Sequence, residues 1–207
     1  MTESGSPLSH LAYLALENAL VTLELAPGAL VTEKQLIARS GHGRTPVREA
    51  IQKLEWQGLI VVRPRVGLQV AEIRPQDHRQ IMEVRHKLEP MAAGLAASNA
   101  TPEQREGLMD CARAMTSAAA TGDYGGFLTA DKQFDEILEA SCPNPFLIAA
   151  LAPLQTHSRR LWFAARSPEK MDRSVSLHVA VIRAIQQQDA DQARQMMERL
   201  ISDLTET

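Results

Sequence analysis

Residues 44–58 read Arg44-Thr45-Pro46-Val47-Arg48-Glu49-Ala50-Ile51-Gln52-Lys53-Leu54-Glu55-Trp56-Gln57-Gly58. The hydroxyl of Thr45 can cap a helix, and Pro46 suits a first helical position, where a missing N–H costs nothing. Apolar residues then recur every three or four positions, which gives the helix one buried face, and Gly58 is a stop signal. The stretch therefore predicts a short amphipathic helix.

Another face of this helix carries Arg48 and Gln52, with Arg44 just ahead of the first turn. Arginine can bind the O6 and N7 atoms of guanine, and glutamine can bind the N6 and N7 atoms of adenine. Taken alone, the pattern fits either a DNA-reading helix or an ordinary surface helix with solvated arginines. The neighbouring sequence favours the first interpretation.

A helix-turn-helix is predicted upstream. Residues 1–7 are small and polar and are expected to be disordered, whereas residues 8–25 predict a helix. Thr32 caps a second short helix that contains Lys34 and Arg39, and a glycine-containing turn at residues 40–43 leads into the stretch described above. This order is the helix-turn-helix plan, in which the second helix of the motif reads the DNA.

A hairpin is predicted downstream, from β-branched residues at 59–62 and an alternating pattern at 68–73. Arg65 lies at its tip, and Gly67 permits close approach of the backbone to a partner. A basic tip can enter the minor groove of DNA. The alternative is an ordinary hairpin with a solvated loop, but the order of elements favours the wing of a winged helix.

Composition separates this region from the rest of the chain. Of 207 residues, 44% are hydrophobic and only 4% are aromatic, and the excess of Ala and Leu favours helices. The net charge is −3, yet residues 30–70 carry a net charge of +4 and residues 75–207 a net charge of −4. This asymmetry indicates a DNA-binding domain joined to a domain with another task. No stretch has the uncharged length of a membrane span, and we expect a cytoplasmic protein.

Beyond residue 74 the pattern predicts six helices and no strand, with helices at about 75–100, 101–120, 124–141, 144–165, 168–187 and 189–205. Such a segment forms an all-α bundle. The predicted fold class is therefore mainly α, with an N-terminal winged helix-turn-helix over residues 8–74 followed by an all-α six-helix bundle effector domain over residues 75–207.

Polar residues interrupt the apolar faces of these helices. Arg85 falls within the first apolar stripe and Glu89 at its edge, while Asp131 and Asp135 lie one turn apart on the third helix. Two carboxylates this close inside a core need a metal, a cation or a proton between them. His178 borders the inner face of the fifth helix. It is either a ligand of a divalent metal or a core histidine that forms a hydrogen bond with a carbonyl.

The first domain resembles the GntR family of bacterial transcription regulators. The residues that carry the resemblance are Pro27-Gly28, Leu30, Glu33, Leu36, Arg44 to Ile51, Leu54, Gly58-Leu59-Ile60 and Arg65-Val66-Gly67. The resemblance implies DNA contacts and a wing glycine at matching positions. These positions and the other polar residues on the outer faces of the predicted helices and hairpin together give the candidate DNA-binding residues. They are Lys34, Arg39, Arg44, Thr45, Arg48, Gln52, Arg65 and Gly67. Gly43 departs from the family, which commonly has Ser or Thr there.

The second domain resembles the FCD effector domain of the FadR subfamily. The matching residues are Arg85, Leu88-Glu89-Pro90, Ala92-Ala93, Asp131, Phe134, Asn144, His178, Ile182, Ala184-Ile185, Asp189 and Ala193. Many such domains bind a divalent metal through one Asp and three His, beneath a pocket for a small organic acid. Asp131 and His178 match two of these ligands, whereas Asp135 and Arg199 stand where the other two histidines are usual.

Two interpretations of this second site remain open. In one, Asp131, Asp135 and His178 hold a divalent metal, either Zn²⁺ or Ni²⁺ or a harder ion such as Mn²⁺ or Mg²⁺ completed by water. In the other, Arg199 neutralises a carboxylate and the site works without metal. The candidate effector-binding residues are Arg85, Glu89, Asp131, Asp135, His178 and Arg199, with Arg85 as the counter-charge of a small carboxylate metabolite. Arg159 and His157 are further candidates for lining the pocket, although a surface position is favoured for both.

The sequence therefore predicts a ligand-responsive transcription regulator and not an enzyme. We expect a repressor that binds a palindromic operator in double-stranded DNA as a homodimer and is released by a small organic acid. One alternative is a constitutive DNA-binding protein with an inert bundle, which the polar residues of the inner stripe disfavour. The other is a metal-dependent hydrolase built on the same Asp and His residues, which lacks a further nucleophile or general base.

Overall fold

The computed structural model of the chain describes residues 7–205. The chain divides into two compact units, with the boundary between Arg74 and Pro75. Residues 1–6, which belong to the segment that the sequence predicts to be disordered, lie outside the described residues, as do residues 206 and 207. Among the helices within residues 7–205, none is both long and apolar enough to cross a membrane.

The first unit is a winged helix-turn-helix, as predicted. Its elements in chain order are α1 (Leu8–Val21), β1 (Leu30–Val31), α2 (Glu33–Ser40), α3 (Arg44–Trp56), β2 (Ile60–Arg63) and β3 (Gly67–Val70). The strands form an antiparallel sheet in the order β1-β3-β2, and Val62 lies opposite Leu68 across the wing. The sequence did not predict β1, because a two-residue strand is too short to show an alternating pattern.

One apolar core holds these elements together. Leu16 and Leu20 of α1, Leu36 of α2, and Val47 and Leu54 of α3 are fully buried in it. Burying a side chain of this kind contributes about 1.5–3 kcal/mol relative to leaving it exposed. The apolar residues of α3 are those that recur at three- and four-residue spacing, so the core determines which face of α3 remains in solvent.

The two helices of the motif begin in different ways. The side chain of Thr32 accepts a hydrogen bond from the N–H of Gln35, whose own side chain accepts one from the N–H of Thr32, so a capping box starts α2. α3 begins at Arg44 after Gly43, which offers no side chain for capping. The predicted cap at Thr45 is therefore wrong. Pro46 is the third residue of α3 and is tolerated there because first-turn N–H groups have no intrahelical partner.

The second unit is the predicted all-α bundle. Its helices are α4 (Pro75–Asn99), α5 (Pro102–Thr121), α6 (Tyr124–Ser141), α7 (Pro145–Ala164), α8 (Pro168–Gln186) and α9 (Ala190–Thr205), and up to residue 205 the unit contains no strand. Three of these helices start with proline after a residue whose side chain caps the first turn, namely Thr101, Asn144 and Ser167. α4 continues through Pro90.

Apolar residues fill the centre of the bundle, but its core also contains charges. Phe127, Phe134 and Leu138 of α6 and Val181 and Ile185 of α8 are buried. The buried polar and charged residues of this unit are Arg85, Glu89, Asp135, Ser141, Gln155, Thr156, Ser158, Arg159, Arg160, Ser174 and His178. Because buried charges require partners, the charged residues of this set must be paired inside the bundle.

The assignment of a buried and an exposed face to α3 can be tested by measuring the free energy of unfolding of variants. We expect Leu54→Ala to lower the free energy of unfolding of the first unit by about 2–5 kcal/mol, because it leaves a cavity at a fully buried position. Trp56→Ala on the same helix should change it by less than about 0.5 kcal/mol, because Trp56 is 92% exposed. Urea unfolding followed by circular dichroism measures both, and equal losses would contradict the assignment of the faces.

Candidate functional site

The first candidate site is the solvent-exposed face of α3. Arg44, Thr45, Arg48 and Gln52 are all exposed, whereas Val47 faces the core. Arginine and glutamine side chains can bind the edges of guanine and adenine. They project from the second helix of a helix-turn-helix, which is the helix that enters the major groove in proteins of this architecture.

A single carboxylate contacts the two arginines of this face. Glu33 is the first residue of α2, and each of its carboxylate oxygens accepts from the Nε atom of Arg48 at 3.0 Å. Its Oε1 atom also lies 3.6 Å from the Nε atom of Arg44. The side chains of Arg44 and Arg48 are 72% and 61% exposed. Both guanidinium groups therefore remain open to solvent while they lie close to α2.

The remaining candidate DNA-binding residues are also exposed. Lys34 and Arg39 lie on α2, and Arg39 forms an ion pair with Glu24. Arg65 lies at the tip of the wing in a left-handed conformation with φ of 66°, and Gly67 has φ of 125°, which favours glycine. The wing therefore presents a positive charge on a tightly turned backbone.

The second candidate site is a cluster of charges inside the bundle. Asp131 and Asp135 lie one turn apart on α6. The Nη1 atom of Arg159, on α7, lies 2.6 Å from the Oδ2 atom of Asp135 and 3.7 Å from the Oδ2 atom of Asp131. Arg159 is therefore the cation that two neighbouring carboxylates in a core require.

His178 of α8 closes the cluster on the other side of Asp131. Its Nε2 atom lies 3.0 Å from the Oδ1 atom of Asp131, and its Nδ1 atom lies 2.7 Å from the carbonyl oxygen of Ser174. The rings of Phe127 and Phe134 lie nearly perpendicular to the imidazole ring, with centroids 6.1 Å and 5.2 Å from it. Because a carbonyl and a carboxylate are both acceptors, the ring satisfies both when it carries two protons. The predicted bond from a core histidine to a carbonyl is present.

Burial and neighbouring charges shift the ionisation of this cluster. Burial lowers the pKa of His178, but the hydrogen bond and the charge of Asp131 outweigh burial and raise it. Burial raises the pKa of Asp131, but the hydrogen bond and charge of His178, with the charge of Arg159, bring it below its ordinary value. Burial and the charge of Asp131 raise the pKa of Asp135 to about 8, although Arg159 opposes this. Asp135 is thus the carboxyl in the cluster that holds its proton most tightly.

Arg85 and Glu89 form a second buried ion pair, on α4. The Nε and Nη2 atoms of Arg85 donate to the two carboxylate oxygens of Glu89 at 2.7 Å and 3.0 Å, and Nη1 donates to the hydroxyl of Ser158. Burial lowers the pKa of Arg85, but the charge and hydrogen bonds of Glu89 raise it. This guanidinium is already engaged, which argues against the expected role of Arg85 as the counter-charge of an effector.

A small cavity opens next to the cluster. Its volume is about 20 Å³, which is room for about one water molecule. Its lining residues are Phe127, Leu128, Asp131, Arg159, Trp162, Ser174, His178 and Leu204. Trp162 stacks on Phe127 with ring centroids 4.6 Å apart and donates from Nε1 to the hydroxyl of Ser174 at 3.1 Å. Of the predicted effector-binding residues, only Asp131 and His178 contribute to this wall.

Arg199 lies elsewhere. It is exposed, and it lines an open surface groove together with His86, Leu177, Gln195, Glu198, Ser202 and Asp203. The expectation that Arg199 neutralises one of the carboxylates is therefore wrong, because Arg159 makes that contact from the interior. The surface position favoured for Arg159 is wrong for the same reason, and Arg159 instead takes the alternative role of a lining residue.

The arrangement of Asp131, Asp135 and His178 does not fit a divalent-metal site. The Nε2 atom of His178 is directed at Asp131, and Asp135 binds the guanidinium of Arg159. The position between the carboxylates where a metal would bind is therefore next to a fixed positive charge. Within residues 7–205, no group of three or more His, Cys, Asp or Glu side chains is arranged to hold a metal ion.

The spacing of residues in α7 is a sequence signal for the inward position of Arg159. Leu147, Leu151, Gln155 and Arg159 are spaced four residues apart, and all four are buried on one side of α7. Residues with this spacing share a face of a helix. The two leucines at the start of the series therefore indicated that Arg159 faces the interior, where a carboxylate must meet it.

Comparison with known protein families gives two matches. Residues 8–70 match the model described as "Bacterial regulatory proteins, gntR family", and residues 80–203 match the model of the FCD domain. Together these segments span most of the chain, and they fall on opposite sides of the boundary between the two units.

Individual relatives agree with these matches. The HTH-type transcriptional repressor RspR of Escherichia coli is 28% identical over 204 residues, which is 97% of this chain and 89% of that protein. A probable D-xylose utilization operon transcriptional repressor of Paenarthrobacter nicotinovorans is 28% identical over 178 residues, 84% of this chain and 78% of that protein. The structure of E. coli McbR/YncC has the same fold, with a TM-score of 0.82 at 22% identity over 96% of this chain and 95% of that chain.

The ionisation of Asp135 predicts how stability depends on pH. In the unfolded chain an aspartate loses its proton near pH 3.9, whereas folded Asp135 retains it until about pH 8. Because the folded state binds this proton more tightly, the free energy of unfolding should fall as the pH rises from about 5 to 8. We expect a loss of roughly 3 kcal/mol between pH 5.5 and pH 8.5, since each pKa unit is worth about 1.4 kcal/mol.

Asp135→Asn should flatten this part of the stability profile, because asparagine has no proton to release. Urea unfolding of both proteins at matched concentration and ionic strength measures the difference. Asp110→Asn, at an exposed position of α5, is the matched control and should retain the slope. An unchanged slope in Asp135→Asn would contradict the raised pKa of Asp135.

Proposed function

This chain belongs to the GntR family of bacterial regulatory proteins and carries an FCD domain; it is a DNA-binding transcription regulator, and we propose that it acts as a homodimeric repressor released by a small organic acid. The observation that carries this proposal is the separation of tasks between the two units. The first unit exposes a reading face that includes Arg44 and Arg48, and the second contains a cavity beside a buried charge cluster.

The reading face supports recognition of a palindromic operator. Arg44 and Arg48 can each bind a guanine, and Gln52 can bind an adenine on the same side of α3. A homodimer with two-fold symmetry would present two copies of this face to two half-sites about one helical turn apart. Lys34, Arg39 and Arg65 would then bind phosphates or the minor groove and fix the register.

The cavity supports an effector site in which Arg159, rather than Arg85, meets the ligand. At about 20 Å³ the cavity holds about one water molecule, so an effector has to displace part of its wall. A small carboxylate would compete with Asp131 and Asp135 for the guanidinium of Arg159. Because its pKa is raised to about 8, Asp135 holds its proton at neutral pH and leaves no uncompensated charge when Arg159 turns towards the ligand.

One wall residue supplies a route to the DNA-binding unit. Leu204, near the end of α9, lines the cavity, and its backbone forms a hydrogen bond with His78 near the start of α4. α4 follows directly on the last residue of the DNA-binding unit. An effector that moves Leu204 would therefore act on this helix. Since such coupling is commonly about 1–3 kcal/mol, we expect the effector to weaken operator binding about 5- to 150-fold.

The site would work without a divalent metal, because Arg159 supplies the positive charge between the carboxylates. We therefore expect native mass spectrometry of freshly purified protein to give the mass of two chains without Zn²⁺, Ni²⁺, Mn²⁺ or Mg²⁺. Elemental analysis of the same sample checks this independently. One metal ion per chain would contradict the metal-free site, and the mass of one chain would contradict the dimer. A retained metabolite would identify the effector.

Arg48→Ala tests the reading face. We expect it to weaken operator binding by about 1–3 kcal/mol for each half-site, the value of a bidentate arginine–guanine pair, while the dimer stays folded. Fluorescence anisotropy with an operator selected by the wild-type protein from random duplexes measures the loss. Arg113→Ala removes an equally exposed arginine from the second unit and should bind normally. Wild-type operator affinity in Arg48→Ala would reject the assignment.

A further inference from the structure

Glu33 lies at the N-terminus of α2, beside both arginines of the reading face. It accepts from the Nε atom of Arg48 through both carboxylate oxygens at 3.0 Å and lies 3.6 Å from the Nε atom of Arg44. We propose that Glu33 is a positioning residue for operator recognition, which holds Arg48 by Nε so that its terminal Nη groups face the bases. This inference rests on the proposed reading role of Arg48.

The carboxylate of Glu33 is attached to a rigid part of the unit. Thr32 and Gln35 form the capping box that starts α2, and the side chain of Leu36 is fully buried in the core. A negative charge in the first turn of a helix is favoured by the helix dipole. Glu33 is also only 32% exposed, about half the exposure of the arginines that it contacts. It is therefore the fixed member of the group.

The atoms involved distinguish positioning from competition with DNA. A guanidinium binds the O6 and N7 atoms of guanine with two N–H groups at once. Glu33 contacts Arg48 through Nε, which leaves the two terminal nitrogens for such a pair. Holding a flexible side chain in its bound conformation reduces the entropy lost on binding.

The charge of Glu33 predicts opposite effects on two kinds of binding. A carboxylate next to DNA repels phosphates, so its removal should strengthen nonspecific binding or leave it unchanged. If Glu33 orients Arg48, the same removal should weaken binding to the operator. A structural role in folding would lower both affinities together, and a role as a competitor of DNA would make removal raise both.

Glu33→Gln in the full-length protein provides the test. The operator is selected by the wild-type protein from random duplexes, and fluorescence anisotropy compares it with a scrambled duplex of the same length and at the same salt concentration. We expect the ratio of operator affinity to scrambled-duplex affinity to fall about tenfold. A change of this size lies within the discrimination that one bidentate side chain–base pair provides. Glu55→Gln removes an exposed carboxylate from α3 and should preserve the ratio.

A double-mutant cycle separates this inference from the proposed function. If Glu33 acts through Arg48, then Glu33→Gln should cause no further loss of the ratio in an Arg48→Ala background. If Arg48→Ala retains the wild-type ratio, the reading role of Arg48 fails. If Arg48→Ala lowers the ratio of operator affinity to scrambled-duplex affinity but Glu33→Gln leaves it at the wild-type value, only the positioning role of Glu33 fails.

A repeated selection with Glu33→Gln gives a second readout. Its base preference should relax at the same operator position that Arg48→Ala relaxes, while other positions keep theirs. Circular dichroism confirms that the variant is folded before either measurement. An unchanged preference at every position, or a parallel change in both affinities, would overturn the proposal.

Discussion

The contact of Arg159 with buried Asp135 and partly buried Asp131 is the constraint on which the helical unit depends. Two ionised carboxylates on successive turns of one helix repel each other, and desolvation costs several kcal/mol for each, so one must keep its proton or a cation must meet them. Arg159 reaches across from α7 to Asp135 and Asp131, and His178 of α8 binds the remaining oxygen of Asp131. The packing of three helices is therefore tied to one set of charges. Because each member has a defined partner, an alternative packing of these helices would leave a charge buried alone.

The DNA-binding unit is stabilised in another way. Its interior is mainly apolar, with Glu17 buried in α1, where it accepts a hydrogen bond from the hydroxyl of Tyr13 at 2.7 Å. At the surface, Glu33 contacts two arginines without removing them from water. An exposed ion pair of this kind contributes little to stability. Its effect is instead on where the arginine side chains are directed. The same type of interaction thus has different consequences in the two units: it determines packing in one and orientation in the other.

These differences explain what could be predicted from the sequence. The faces of α3 follow from the spacing of Val47, Ala50, Ile51 and Leu54, because helical periodicity is a local property. The start of α3 was predicted wrongly, since Thr45 has the chemistry of a cap but Gly43 has the cap position. The bundle and its six helices were also predicted. The partner of Asp135 could not be predicted, because the pairing of residues 24 positions apart depends on how α6 packs on α7. Arg199 was expected to supply the positive charge because of its family position, but its side chain is exposed.

Each unit contains one of the two tryptophans of the chain. Trp56 lies in water at the end of α3, whereas Trp162 stacks on Phe127 in the wall of the cavity. An indole in water emits at longer wavelength than one packed among apolar side chains. The intrinsic fluorescence of the protein therefore contains two spectrally distinct signals. Replacing either tryptophan with phenylalanine would leave an emitter that reports on the DNA-binding unit alone or on the cavity alone, without an added dye.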